Sequence, residues 1–173
     1  MYATNFPKKR YKHTLRFLKK HIAFTETILD LGVDNPFSEL LKKEGFSVSN
    51  TSGEDLDLNT TTLETNSSDV VTAFEIFEHL LSPFTVLKNI KSQKLVASIP
   101  LRLWFASAYR SKTDPRDRHF HEFESWQFDW LLEKTGWKII ASEKWTNPTK
   151  KIGFRPFLRW FTPRYYIVYA ERI

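Results

Sequence analysis

Two carboxylates and an imidazole fall within the six residues Phe74–His79, FEIFEH. Projected on a helix at about 100° per residue, Glu75, Glu78 and His79 span an arc of about 100° on one face, so their side chains can converge on one point. Carboxylates held that close repel unless a cation lies between them. Carboxylate and imidazole donors without thiolate suit Mg²⁺, Mn²⁺, Fe²⁺ or Zn²⁺. A further ligand has to come from elsewhere, and the segment HFHEF supplies His119 and His121. Two other readings stand beside the metal. In one, the group is a metal-free active site in which His79, His119 or His121 serves as base. In the other, Glu78 and His79 cap a helix and the acids favour its dipole.

The elements that must position these residues alternate. TILDLG (Thr27–Gly32) reads as a buried strand closed by glycine. NPFSELLKKEG follows as a helix, with Asn35 as cap, Pro36 in its first turn and Gly45 at its end. FSVSN reads as a second strand and DVVTAF (Asp69–Phe74) as a third. The polar stretch between them is loop with room for one short strand. A helix is expected from Glu75 or Glu78 toward Asn89, bent or restarted at Pro83. KLVASIP is a strand ended by proline. SWQFDWLLEKTG is a helix with Ser125 as cap and Gly136 as stop, and WKIIASEKW and RYYIVYAERI are two late strands. Such alternation builds an α/β domain on a parallel sheet with helices on both faces, and ligands then sit outside the C-terminal strand ends. DLGVDNP, SGED and FEIFEH all fall there.

The bulk composition bounds the rest. At 173 residues, with 15 Phe, 6 Trp and 41% apolar content, the chain fits a single domain with ample core. The absence of cysteine excludes a disulfide framework, a thiolate nucleophile and a Cys-ligated metal. No run approaches a membrane span and the N-terminus lacks the apolar segment of a signal peptide, so the chain reads as soluble and cytoplasmic. The net charge is +6, and residues 8–20 alone hold seven cations and no acid. Within residues 1–25, Tyr11, Leu15, Leu18 and Ile22 give this basic arm one apolar helix face. Its cations suit a solvated face, a phosphate or nucleic-acid contact, or a membrane surface; thin aromatic interleaving disfavours nucleic acid.

In this order and spacing the segments resemble the class I S-adenosylmethionine-dependent methyltransferases. ILDLG looks like their first motif, DVVTAFEIFEHLLSPFTVLKNI like their fourth strand and following helix, and KLVASIP like the fifth strand. HFHEFESWQFDWLLEKTGWKII looks like their late segment, and the final strand fits their seventh. The resemblance covers about residues 26–145. It implies a Rossmann-like, mostly parallel seven-stranded sheet with an antiparallel last strand, and S-adenosyl-L-methionine as cofactor. It places the cofactor against Asp30, Gly32, Val33, Asp34, Phe74 and Glu75, with Glu54 or Asp55 on the ribose. Only Gly32 remains of the usual glycine-rich turn, and Thr51 and Ser52 stand where the ribose acid normally ends the second strand. FEIFEH is further similar to the Glu-x-x-Glu-His segment of metal-dependent small-RNA 2′-O-methyltransferases. That likeness implies the ligand set Glu75, Glu78, His79 and His121, with His119 the lesser candidate.

The implied function is methyl transfer to a hydroxyl of a small-molecule, sugar or nucleotide-type acceptor, metal-assisted in the ligand-set reading. The alternative is a catalytically inactive Rossmann-like domain that binds nucleic acid or a phosphorylated partner. A nicotinamide oxidoreductase is disfavoured because LGVDNP lacks G-x-G-x-x-G. Pro100–His121, aromatic and basic, would overlie the acceptor, with Trp104 and Phe105 either stacking platform or core. Residues 147–164 join the last two strands at a length no hairpin needs, which suits a lid, a dimer contact or a partner-binding arm.

Overall fold

The computed structural model describes residues 7–114, 117–149 and 151–173. Residues 1–6 of the basic arm, Arg116 of the aromatic-basic segment and Lys150 of the late connection lie outside the described residues. The apolar runs form β1 (Thr27–Asp30), β2 (Ser47–Asn50), β3 (Val70–Phe74) and β4 (Lys94–Pro100), and the chain ends in β5 (Trp137–Thr146) and β6 (Pro163–Arg172). They make a six-stranded sheet in the order β2-β1-β3-β4-β6-β5. β1 to β4 are mutually parallel, and β6 pairs antiparallel with both β4 and β5.

The sheet therefore has six strands, not seven. The polar segment between β2 and β3 holds a five-residue helix, α3 (Thr61–Thr65), in place of a strand. Its short polar side chains bind their own backbone: Asp55 accepts from Asp57 N, Asn59 from Thr61 N and Asn66 from Ser68 N. Such local bonds compete with a strand ladder. Leu56 and Leu63 are its buried anchors.

Helices cover both faces. α1 (Lys8–His21) and α2 (Pro36–Lys43) pack Tyr11, Phe17, Leu18, Phe37 and Leu41 against Ile28, Val70 and Val96. On the other face Leu63 of α3, Val86 and Leu87 of α4 (Pro83–Asn89), and Phe128 and Leu132 of α5 (Ser125–Lys134) pack against Leu29, Val71, Leu95 and Val168. Neighbouring β3 residues thus serve opposite cores, as a two-residue side-chain period requires. Asn35 caps α2 by accepting from Phe37 N and Ser38 N. At α5 the cap is Glu124, with Ser125 the first helical residue. No helix among the described residues is long and apolar enough to cross a membrane.

The helix expected from Glu75 or Glu78 to Asn89 is broken in two. Glu75 closes β3 with φ +57°, the one positive value outside glycine among the described residues. Phe77–His79 make a single 3₁₀ turn, and α4 begins afresh at Pro83. Proline cannot donate into a preceding turn, so it starts the helix instead of continuing one.

Candidate active site

The C-terminal ends of β1 and β3, with α1 lying across them, enclose a cleft of about 180 Å³ lined by Arg10, Tyr11, Thr14, Asp30, Gly32, Val33, Asn35, Phe37, Phe74, Glu75 and Ser98. Asp30 is its buried floor. Its carboxylate accepts from Thr72 Oγ1 at 2.6 Å and from Asn35 Nδ2 and Asn50 Nδ2 at 3.4 Å each. Burial outweighs these bonds and raises the Asp30 pKa to about 6. Gly32 follows with φ +107°, and its N–H donates to Thr51 Oγ1 at 2.8 Å. That conformation is open to glycine and costly to other residues.

The left-handed turn at Glu75 sends its carboxylate into the cleft. Ser98 Oγ donates to Oε1 at 3.0 Å, and Arg10 Nη1 lies 3.2 Å from Oε2. Arg10 reaches the cleft because the next residue, Tyr11, is buried against Phe37, with ring centres 4.7 Å apart. Nothing in the spacing of the N-terminal cations singled out Arg10; the burial of Tyr11 was the signal that could have found it.

Of the eight residues expected around the cofactor, five line this cleft and three do not. Asp30, Gly32, Val33, Phe74 and Glu75 are in it. Asp34 turns outward, 2.9 Å from Lys42 Nζ, which holds its carboxyl below the usual range. Glu54 and Asp55 are not among the lining residues. Glu54 accepts from Ser52 Oγ at 2.8 Å, and Asp55 stabilises its own turn. The loop after β2 is built round Gly53, φ +85°, where an added Cβ would stand 2.5 Å from Val33 Cγ1. Gly53 thus makes the space that Val33 occupies in place of a glycine.

A second constellation adjoins the first. Ligand-type atoms of Glu78, His79 and His119 all lie within 4.8 Å of one another. The Glu78 carbonyl accepts from Phe120 N at 2.8 Å and His121 N at 3.2 Å, which fastens the HFH segment to the 3₁₀ turn. His79 Nδ1 is 2.9 Å from the Arg118 carbonyl, which can only accept, so Nδ1 carries a proton and in the neutral ring Nε2 holds the lone pair. His119 Nδ1 is 2.7 Å from Glu122 Oε1 and orients the same way. Glu122 is itself fixed by the Tyr109 N–H at 2.9 Å. The two imidazoles meet edge to face, 5.0 Å apart. The Glu78 side chain is 1% exposed and its Oε2 has no hydrogen-bond partner. Burial first, then the Glu75 carboxylate, hold its pKa well above the usual range, against the pull of Arg10 and Arg164.

Of the ligand set taken from the resemblance, the structure gathers Glu78 and His79, with His119 as their neighbour. His121 turns aside: Nε2 lies 3.4 Å from the Leu81 carbonyl, and the ring stacks on Phe123 with centres 5.3 Å apart. Glu75 faces Arg10 and Ser98 instead. The break in the helix is the reason, because the projection that put Glu75 and Glu78 on one face needs helical φ at Glu75. Two imidazole nitrogens and a carboxylate, each ring held through its second nitrogen, fit a divalent metal with open positions.

The Pro100–His121 segment buries Leu101 and Leu103 but leaves Trp104 67% exposed. Trp104 is therefore a surface residue and not core.

Neither a protein-family model nor a curated protein sequence matches the chain. Solved structures do. An S-adenosylmethionine-dependent methyltransferase from Methanosarcina mazei is similar with a TM-score of 0.65 at 12% identity, over 91% of this chain and 97% of that one. One from Archaeoglobus fulgidus gives 0.62 at 18% identity, over 94% of each chain. The N-terminal domain of EvdMO1, solved with SAH bound, gives 0.55 at 16% identity, over 94% of this chain and 80% of that one. At these identities the likeness is one of fold. The chain has the α/β fold of S-adenosylmethionine-dependent methyltransferases, spanning almost the whole of the first two neighbours.

Proposed function

We propose that the protein is an S-adenosylmethionine-dependent methyltransferase that methylates a hydroxyl on a small-molecule, sugar or nucleotide-type acceptor, assisted by a divalent metal. The observation that carries the reading is the cleft at the ends of β1 and β3, where Asp30 and Glu75 flank Gly32. The donor's amino and sulfonium groups are both cationic, and these two carboxylates offer them negative potential. Its α-carboxylate would take the Arg10 guanidinium, whose planar fork suits a carboxylate.

Bound S-adenosylmethionine would supply an electrophilic methyl carbon, and a metal on Glu78, His79 and His119 would polarise an acceptor hydroxyl and lower its pKa. The chain's own residues do the rest. Glu122 and the Arg118 carbonyl fix the two imidazoles through their Nδ1 atoms beside Glu78. Without metal, the Nε2 atom of one ring takes the hydroxyl proton as the acceptor oxygen attacks and the C–S electrons return to sulfur. Holding oxygen and methyl carbon in line is the larger part of the work. Exposed Trp104, in the segment that follows β4, suits a planar or sugar face on the acceptor.

A second reading, a Rossmann-like domain without activity that binds nucleic acid or a phosphorylated partner, is favoured by one observation. A cavity of about 180 Å³ is smaller than the ~300–1,000 Å³ of ordinary ligand pockets. Calorimetric titration with S-adenosylhomocysteine, then Mn²⁺, decides between the two readings.

A further inference from the structure

The connection between β5 and β6 carries an apolar surface that the methyl-transfer reading leaves unused. Its short helix, α6 (Phe154–Leu158), buries no residue. Phe154 is 70% exposed, Phe157 59%, Trp160 59% and Phe161 70%, and Ile152 before them is fully exposed. From Ile152 to Phe161 the sequence IGFRPFLRWF contains no hydroxyl, amide or acid side chain. Its two arginines, Arg155 and Arg159, fall between the aromatics, with Lys151 just before. Residues 147–164 contain no acid at all. The stem of the connection, Asn147 and Pro148, shares a groove with Lys8, Lys9 and Lys12 of α1, which continues the cationic rim.

We infer that this connection is a peripheral membrane anchor, inserting Phe154, Phe157, Trp160 and Phe161 into the surface of a bilayer rich in anionic lipid. The chemistry of the segment separates this occupant from others. Protein interfaces carry about one hydrogen bond per 100–200 Å², and sequence-specific RNA recognition needs polar groups for base edges. A segment whose polar side-chain groups are two guanidinium groups and one indole N–H, with no acceptor, meets neither demand. A bilayer asks for apolar side chains that can enter the acyl boundary and for cations at the phosphate level, and this segment supplies both. The inference does not depend on the chain's being an enzyme.

The test is co-sedimentation with phosphatidylcholine vesicles and with vesicles that also contain phosphatidylglycerol. The native chain should sediment with the anionic vesicles, more weakly as salt rises, and barely with neutral ones. Phe157→Glu with Phe161→Glu should weaken partitioning roughly tenfold or more, since charge replaces two inserted rings. Both positions are exposed, so the fold should survive, with an unchanged circular dichroism spectrum. Quenching of tryptophan fluorescence by brominated phospholipid should drop in Trp160→Phe. Absence of vesicle binding, binding indifferent to the double substitution, or quenching unchanged in Trp160→Phe would overturn the anchor, as would vesicle binding displaced by single-stranded RNA.

Discussion

Arg10 on the first helix and Glu75 at the end of the third strand, 65 positions apart, meet as an ion pair across the mouth of the cleft, with Nη1 and Oε2 3.2 Å apart. The pair ties the basic arm to the strand end, and both partners are at least three-quarters buried. If the donor's charged ends replace these partners for each other, Glu75→Gln should weaken S-adenosylmethionine binding roughly tenfold or more, since a hydrogen bond to a charged group contributes about 1.5–3 kcal/mol. It should weaken S-adenosylhomocysteine binding less, because that ligand lacks the sulfonium charge. Arg10→Met should weaken both ligands alike. Paired calorimetric titrations of each variant measure the two ratios.

The metal-capable trio yields a prediction that separates two histidines close in sequence. His79→Ala and His119→Ala should each abolish tight Mn²⁺ binding, followed by electron paramagnetic resonance. His121→Ala should leave it unchanged, since that ring points at the Leu81 carbonyl. Glu122→Gln should weaken Mn²⁺ roughly tenfold or more through the orientation of His119. A loss of binding in His121→Ala with His119→Ala intact would return the ligand set to the one taken from the resemblance.

Gly53 and Val33 make a close approach that substitution can probe. Gly53→Ala adds a Cβ 2.5 Å from Val33 Cγ1 at a residue whose φ is +85°. Overpacking and backbone strain should together cost about 2–4 kcal/mol, read by urea unfolding. Adding Val33→Ala should recover the steric part and leave about 1 kcal/mol of backbone strain.

Asp30 gives a pH dependence of definite sign. Its carboxyl is held protonated up to about 6, whereas in the unfolded chain it ionises near 3.8. Between those values the folded chain binds more protons than the unfolded one, so stability falls as pH rises through the window. The full effect of that gap is about 3 kcal/mol at about 1.4 kcal/mol per unit. Asp30→Asn should flatten the profile between pH 4 and pH 6 in urea unfolding. A cationic ligand beside Asp30 favours its charged form, so affinity should rise as pH rises through about 6.

How far the sequence disclosed this arrangement depended on what each residue's position required. β1, β3 and β4 were readable because apolar side chains in unbroken runs suit strands buried on both faces. Asn35, Pro36 and Gly45 marked the ends of α2 by their own backbone chemistry. The place of Glu75 among the metal ligands presumed helical φ, and one left-handed residue sends its carboxylate into the cleft, where the cofactor set also put it. The choice of His119 over His121 rests on the Glu78 carbonyl holding two successive N–H groups and on Glu122 gripping one ring, contacts between distant segments that no spacing encodes. The missing strand could have been suspected from the Asp, Asn and Thr density before Asp69, since those side chains satisfy the backbone locally.

The proposed function requires that the cleft between Asp30 and Glu75 receive S-adenosylmethionine. Its most direct measurement is calorimetric titration of the native chain with S-adenosylhomocysteine, repeated with Glu75→Gln. The native chain should show saturable one-to-one binding that weakens in the variant. No heat of binding at millimolar ligand, or equal binding by both proteins, would contradict it.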